Sequence, residues 1–507
     1  MPSLVWTAAL NGVEAVLVAV EADSGGGDFG QIAVVGLPDA AVSEAKERVK
    51  SVLRNCGREF PRRKITVNLA PADLKKHGPA YDLPIAVSIL ALKNNFTETL
   101  NRSLIAGELS LNGEIRGVPG ILAMAMAAKR KSINNLFIPA ANAQEALLIP
   151  GLNVFPLKNL KQLIRHLENK EPLSPAQAQK INDDQTNKIS NDLSEIRGQF
   201  KAKRALKIAA AGGHHLLLCG PPGSGKTMLA KALAGILPRL NYEEKLELTK
   251  IYSAAGLLNR RAGLILARPW RAPHHSSSRA ALIGGGSWPR PGEVSLSHRG
   301  ALFLDELPEF SRSCLESLRQ PLENGSIEIS RVAGNLKLPA KFLLIAAMNP
   351  CPCGYHQDPE RTCTCLPKQI SAYRRRISGP LLDRFDLQVN VPRVSLSDLK
   401  NSASSQTENS KVAAADIENA RQHQAKRLSG SGCLTNADMD NRLTKQHCQL
   451  DAQGENLLGQ AMQTIKLSAR AYWRILKLSR TIADLANSNK IKNEHLAEAL
   501  QYRPQLE

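Results

Sequence analysis

The 507 residues are 43% hydrophobic and 22% charged, the balance of a folded globular protein, and the chain is too long for one hydrophobic core. No uninterrupted apolar run approaches the roughly 18 residues of a membrane span, and Met1-Pro2-Ser3-Leu4-Val5-Trp6 has no basic leader, so a cytoplasmic protein with no membrane partner is expected. The formal charge of +20 is concentrated: residues 169–394 hold 32 Lys and Arg against 19 Asp and Glu, which points to a polyanionic partner or to a basic, solubilising surface.

Residues 1–168 read as one mixed α/β unit. Runs such as Glu14–Val20, Ile32–Val35 and Ile65–Leu69 have strand character, and Ala41–Asn55 has helical character. Residues 169–191 are polar and proline-spotted, the composition of a linker.

Residues 192–394 form the second unit. The apolar run Leu216–Cys219 leads into Gly220-Pro221-Pro222-Gly223-Ser224-Gly225-Lys226-Thr227, followed by a helical stretch to Leu237. Strand, glycine loop and helix in that order make a phosphate-binding loop. The glycines let backbone N–H groups turn inward, Lys226 reaches the β- and γ-phosphates of a nucleoside triphosphate such as ATP, and the Thr227 hydroxyl binds Mg²⁺. Between Arg260 and Leu304 stand seven arginines and a single acid, Glu293. A second apolar strand, Ala301–Leu304, ends in Asp305 and Glu306, suited to hold Mg²⁺ and to orient or deprotonate a water. A third, Phe342–Met348, ends in Asn349, an amide able to bond the water or the γ-phosphate.

Before that third strand, Ile327–Leu338 alternates around a glycine-containing turn, which predicts a β-hairpin carrying Arg331 and Lys337. After it, Cys351, Cys353, Cys363 and Cys365 form two C-x-C pairs: either a tetrathiolate Zn²⁺ site or a reduced, structured loop, structural in both cases. Arg384 follows Asp383 and precedes Asp386 by two residues. It reads either as a local ion pair or as a cation on the far side of the domain from Lys226, in which case it serves a neighbouring subunit and implies a ring. Residues 395–410 are rich in Ser and Asn, a flexible connection, and 411–507 are helical throughout. There Ser468–Arg474 opens an amphipathic helix from which Arg470, preferred over Arg474, is expected to reach back over the nucleotide.

These parts in this order resemble the ring-forming AAA+ ATPases of the helix-2-insert group, which includes magnesium chelatase subunits and the MCM helicases. Arg271-Ala272-Pro273-His274-His275, Gly284-Gly285-Gly286, Pro291–Gly300, Asn349–Gly354 and Ile377–Arg384 narrow the likeness to the YifB/ComM competence family, over essentially the whole chain. The resemblance implies an α/β fold: a Lon-protease-like N-terminal domain, an AAA+ phosphate-loop core and a helical lid. It implies a homo-hexamer in which Arg384 is the arginine finger, Asn349 sensor 1 and Arg470 sensor 2, with Ile196 and Gln199 near the adenine.

The implied activity is ATP-driven movement on single-stranded and branched DNA without sequence preference, a helicase or branch-migration factor in recombination during natural transformation. Arg331 and Lys337 would then meet phosphates in the central pore. The alternative is a chelatase-like ATPase that remodels a protein partner. Where Lon-type domains place a nucleophilic serine and an activating lysine, this chain has Ala80 and Leu122, so no serine-lysine proteolysis is expected.

Overall fold

The apolar runs assemble into two separate main sheets in the computed structural model, which describes residues 2–25, 30–61, 63–94, 96–178, 191–259, 263–285, 290–331, 334–394, 409–464 and 468–503. The first sheet draws on β1 (Ser3–Asn11), β2 (Glu14–Gly25), β3 (Ile32–Val35), β4 (Lys64–Ala70) and β5 (Ser103–Ile105). A side ribbon of β6 (Glu108–Leu109) and β7 (Ile115–Arg116) intervenes before β8 (Asn135–Pro139) and β9 (Asn153–Leu157) complete it. Its order is β3-β4-β2-β1-β5-β8-β9, antiparallel through β4, β2 and β1 and parallel elsewhere. Helix Ala40–Asn55, capped by the Asp39 side chain on the Val42 N–H, covers one face with Val42, Ala45, Val49 and Val52. The helical expectation over 41–55 is met almost to the residue, whereas β1, β5, β8 and β9 add strands beyond those marked by their β-branched runs.

The second unit takes β10 (Leu216–Cys219), β11 (Trp270–Arg271), the two-strand ribbon β12 (Gly284–Gly285) and β13 (Arg290–Pro291), and β14 (Ala301–Leu304). The hairpin β15 (Ser326–Arg331) and β16 (Gly334–Pro339) comes next, then β17 (Leu343–Met348) and β18 (Leu387–Asn390). The sheet order is β11-β14-β17-β10-β18, and every pairing is parallel. A sheet buried on both faces needs strands apolar at every position, and β14 and β17 are buried at every residue.

Helices Ser410–Arg427, Asn441–His447, Ala452–Thr464, Ala469–Leu485 and Asn493–Leu500 make up the C-terminal region. Ala413, Ile417, Ile475 and Ile482 share one buried cluster with β10 and with helix Phe200–Gly212, so this region docks directly on the sheet unit. Arg480 is 2% exposed; Asp484 accepts from its Nε at 3.1 Å, from Arg427 at 2.5 Å and from Asn436 at 2.8 Å.

The two sheet units are joined by buried contacts. Val13, at the β1–β2 turn, sits in the same cluster as Ile251 and Leu336 of the second unit. A Cβ on Gly12 would come within 2.1 Å of Leu336, so only glycine lets the turn approach the hairpin so closely. Ser253 accepts the Gly120 N–H on its carbonyl at 2.9 Å and donates its hydroxyl to Glu145 at 2.6 Å.

Asp484 balances the buried Arg480 guanidinium and the half-buried one of Arg427. Asp484→Ala is expected to lower the stability of the helical region by about 3–5 kcal/mol, because Arg480 then loses its counter-charge in a dry core and Arg427 loses its own partner; urea unfolding followed by helical circular dichroism measures it, and a change under about 1 kcal/mol contradicts it.

Candidate active site

Chain folding brings the phosphate loop against β18. Gly220 approaches Val391 so closely that a Cβ would fall 2.1 Å from the Val391 carbonyl oxygen. Gly225, at φ 88°, then turns the chain into helix Lys226–Ala234. The Lys226 ammonium donates to the carbonyls of Gly220 and Pro221, each at 2.8 Å, and to Asn349 Oδ1 at 3.2 Å. One cation therefore ties the loop to the end of β17. Burial lowers its pKa, while Cys219 and Asp305 oppose that change.

Because β14, β17 and β10 are neighbours and run the same way, Asp305, Asn349 and the loop share one end of the sheet. Thr227 donates its hydroxyl to Asp305 Oδ2 at 2.7 Å, and Asp305 Oδ1 accepts the Glu306 N–H at 2.9 Å. A hydroxyl and a carboxylate so placed are a fitting oxygen donor set for Mg²⁺. Glu306 is left-handed at φ 51° and ψ 49°, a conformation that costs a non-glycine residue energy and that turns its carboxylate out of the strand direction. That carboxylate lies 3.2 Å from His275 Nδ1, and the His275 ring packs on His274 at 4.1 Å between centroids. Sequence reading assigned His275 no role; two adjacent histidines just beyond β11 were the available signal.

Ile196 is buried and Gln199, at φ 55°, donates to the Pro392 carbonyl at 2.6 Å, one residue from the Val391 that abuts Gly220. Gln199 thus lies beside the phosphate loop on its β18 side, and Ile196 packs in the buried cluster that contains β10.

The four clustered cysteines gather beside the same loop. Their sulfurs all lie within 4.8 Å of one another, with Cys351–Cys353 at 3.4 Å, Cys353–Cys363 at 3.6 Å and Cys351–Cys363 at 3.7 Å. A tetrahedral zinc with bonds of about 2.3 Å sets sulfurs about 3.8 Å apart, so the donor set fits that ion. The Tyr355 backbone N–H is the largest influence pushing the Cys353 thiol down to about 5. Gly354, at φ 86°, packs on Pro222: a Cβ there would be 2.4 Å from the proline ring. The thiol cluster therefore rests against the phosphate loop, directly after Asn349.

Arg384 lies at the opposite end of the sheet. It stands three residues before β18, whose start pairs with the start of β10, and the phosphate loop follows the end of β10. A four-residue strand separates the two ends by about 13 Å. Its side chain is 5% exposed, bonds the Pro380 carbonyl at 3.0 Å and pairs with Glu323. Arg470 does not lie over the phosphate loop of its own chain: its guanidinium is 3.5 Å from the same Glu323. The reason is the docking of helix Ala469–Leu485, which is fixed under the start of the strands by Arg474–Asp386 at 3.2 Å and His214–Thr481 at 2.8 Å. A cavity of about 730 Å³ opens here, lined by Glu323, Arg470, Arg474 and Lys477.

Three of the seven arginines in the basic stretch are neutralised by ion pairs. Arg268 meets Glu244 at 2.9 Å, Arg271 meets Glu293 at 2.6 Å and Arg299 meets Glu247 at 2.9 Å. Counting charges along the chain missed Glu244 and Glu247, which arrive from helix Tyr242–Ala254. Arg279 and Arg290 are exposed, while Arg260 and Arg261 lie outside the described residues. The hairpin buries Ile327, Leu336 and Leu338 and exposes Lys337, which faces Glu328 across the strands. The Arg331 backbone pairs with Gly334, and its side chain lies outside the described residues.

Profiles of three families match the chain: subunit ChlI of Mg-chelatase over residues 20–142, magnesium chelatase subunit ChlI over 192–399, and the ChlI C-terminal region over 407–503. The YifB protein of Salmonella typhimurium is 43% identical over 504 residues, covering 99% of this chain and 97% of its own. Competence protein ComM of Haemophilus influenzae is 43% identical over 506 residues, with the same two coverages of 99% and 97%. Lon protease of Borrelia duttonii is 30% identical over 113 residues, 21% of this chain and 14% of that protein.

His215, at the foot of β10, accepts the Leu344 N–H on Nδ1 at 3.0 Å, and burial pushes its pKa down to about 4 against the pull of Asp386. The unfolded chain, with histidine near 6.5, takes up the proton first, so this contribution is complete above about pH 6.5 and is lost as pH falls from there to about 4. His215→Gln, which keeps an acceptor and cannot titrate, is expected to flatten that part of the curve of stability against pH; an unchanged slope contradicts the assignment.

Proposed function

Since the chain belongs to the YifB/ComM family of magnesium chelatase-like AAA+ proteins, with a Lon-like N-terminal domain, a phosphate-loop core and a helical lid, we propose that it is an ATP-hydrolysing DNA motor working as a homo-hexameric ring. The observation that carries the reading is the division of catalytic groups between the two ends of one parallel sheet. Lys226, Thr227, Asp305, Glu306 and Asn349 share one end, while Arg384 and Arg470 share the other. Across a strand length of about 13 Å they cannot meet one triphosphate within a single subunit. Both arginines therefore serve the nucleotide of an adjoining subunit, and Arg470 acts there rather than in its own chain.

At the nucleotide, Lys226 leaves the loop carbonyls for the β- and γ-phosphates, and Ile196 and Gln199 border the adenine. Thr227 and Asp305 would hold Mg²⁺, which when bound would supply positive charge against that developing on the phosphoryl oxygens. Glu306 accepts the proton of the attacking water, with His275 positioning its carboxylate, and Asn349 orients that water. Arg384 and Arg470 offset the transition-state charge from across the interface. Cys351, Cys353, Cys363 and Cys365 would hold Zn²⁺, which would cross-link the loop that packs on Pro222.

The polyanion is DNA, single-stranded and branched. The excess positive charge of residues 169–394, exposed Arg279 and Arg290, and a hairpin bearing Arg331 and Lys337 support contact with phosphates rather than bases. The name of the Haemophilus relative supports a place in competence, as a helicase or branch-migration factor in the recombination that follows DNA import. A second reading, remodelling of a protein partner, is favoured by the chelatase family to which all three profiles belong.

Junction migration and ATP turnover by the purified protein separate the two. Lys226→Ala is expected to lose nucleotide binding, and Glu306→Gln to keep binding while turnover falls by about 10²-fold or more. Arg384→Ala subunits mixed with wild type should lower the turnover of their neighbours. Failure to bind polynucleotides at low ionic strength favours the protein-remodelling reading. Metal analysis is expected to find about one zinc per chain, reduced by Cys353→Ser; protein purified under reducing conditions with no zinc and four titratable thiols in the cluster contradicts the metal assignment.

A further inference from the structure

Glu323 stands where three elements meet. It belongs to helix Arg319–Asn324, and only Asn324 and Gly325, at φ 62°, separate it from β15, the first strand of the hairpin. Its carboxylate pairs with Arg384, which precedes β18, and lies 3.5 Å from Arg470 on the lid helix Ala469–Leu485. The Arg384 side chain is 5% exposed, so its guanidinium cannot be presented to another subunit without leaving this pocket. Burial, Arg470, Arg474 and Arg319 all disfavour the Arg384 cation, and Glu323 favours it. The carboxylate itself is 48% exposed, within reach of whatever enters the cavity.

We propose that Glu323 is a latch that keeps Arg384 and Arg470 turned into their own subunit until displacement of the β15–β16 hairpin draws the carboxylate away. The proposal rests on the reading that both arginines act on the nucleotide of an adjoining subunit. A triphosphate arriving at the arginines carries several negative charges and competes with Glu323 for the same guanidinium groups. The two anions exclude each other, so neighbour-bound ATP and hairpin displacement favour the same released state. Coupling of this kind is reciprocal: whatever DNA does to the hairpin strengthens the grip on ATP next door, and the converse. Glu323 touches no substrate, so it is a positioning residue that acts through Arg384.

The test measures ATP turnover by full-length assembled rings with and without a mixed-sequence single-stranded oligonucleotide. Glu323→Gln removes the charge and keeps the shape; turnover without DNA is expected to rise about five-fold or more, the low end of typical coupling. The stimulation by DNA should fall toward one, and the KM for ATP should fall as well, because the guanidinium groups are no longer held back from the neighbouring triphosphate. In an Arg384→Ala background the same substitution should have a much smaller effect, since only Arg470 is left to release. Glu323→Asp, which keeps the charge on a shorter arm, should retain part of the DNA response.

Turnover unchanged by Glu323→Gln in both conditions overturns the proposal. So does a fall in both conditions at an unchanged melting midpoint, or an equal effect with and without Arg384. Mixed rings distinguish this failure from failure of the underlying reading. If Arg384→Ala subunits depress their neighbours while Glu323→Gln is silent, only the latch is wrong; if they do not, the assignment of the arginines to the adjoining subunit fails as well.

Discussion

A sheet whose five strands all run the same way has two chemically different ends, and this polarity governs the rest of the molecule. At the carboxyl ends the chain must turn over the sheet edge, and there the phosphate loop, Asp305, Glu306 and Asn349 collect. At the amino ends the segment before β18 and the first turn of the lid helix bring Arg384, Arg470 and Arg474 around Glu323 and Asp386. Burial acts against the Asp386 carboxylate, yet Arg474 and the neighbouring histidines hold it well below the usual carboxylate range. The two groups of charges are therefore held apart by the length of the sheet, whose inner strands β14 and β17 are apolar and buried at every residue. The proposed division of labour between subunits follows from that separation.

The carboxyl end is braced from several directions. Lys226 ties the loop to β17, the backbone of β18 leaves room for no side chain at Gly220, and the thiol cluster presses Gly354 on Pro222. Each brace comes from a different part of the chain, so the loop is held by tertiary contacts as much as by its glycines. His275 reaches Glu306 from the loop after β11, which leads toward the β12–β13 ribbon.

The N-terminal unit is joined to the second unit at the hairpin and at helix Tyr242–Ala254. Its β1–β2 turn buries Val13 beside Leu336 of the hairpin, and Gly120 and Glu145 both bond Ser253 on helix Tyr242–Ala254. A domain held by such contacts packs directly on the hairpin and on that helix. With Ala80 and Leu122 at the positions where a serine and lysine would be needed, mechanical support is a use of this fold that requires no nucleophile.

Much of the active site was legible because its parts are contiguous: a strand, a glycine loop and a helix are written in one stretch from Leu216 to Ala234, and Asp305 and Asn349 each end an apolar run. The hairpin was legible for the same reason, through its alternation. Contacts between distant segments were not. Arg268 and Arg299 looked like free basic charge until Glu244 and Glu247 came beside them, and Arg470, expected over the nucleotide of its own chain, stands instead beside Glu323 at the other end of the sheet. The amino-acid sequence by itself determined the local chemistry, since phosphate loops, strand ends and turns depend on neighbours a few residues away. Only the tertiary structure decided which charges meet, because an ion pair such as Glu323 with Arg384 joins residues 61 apart and depends on how the intervening strands are ordered.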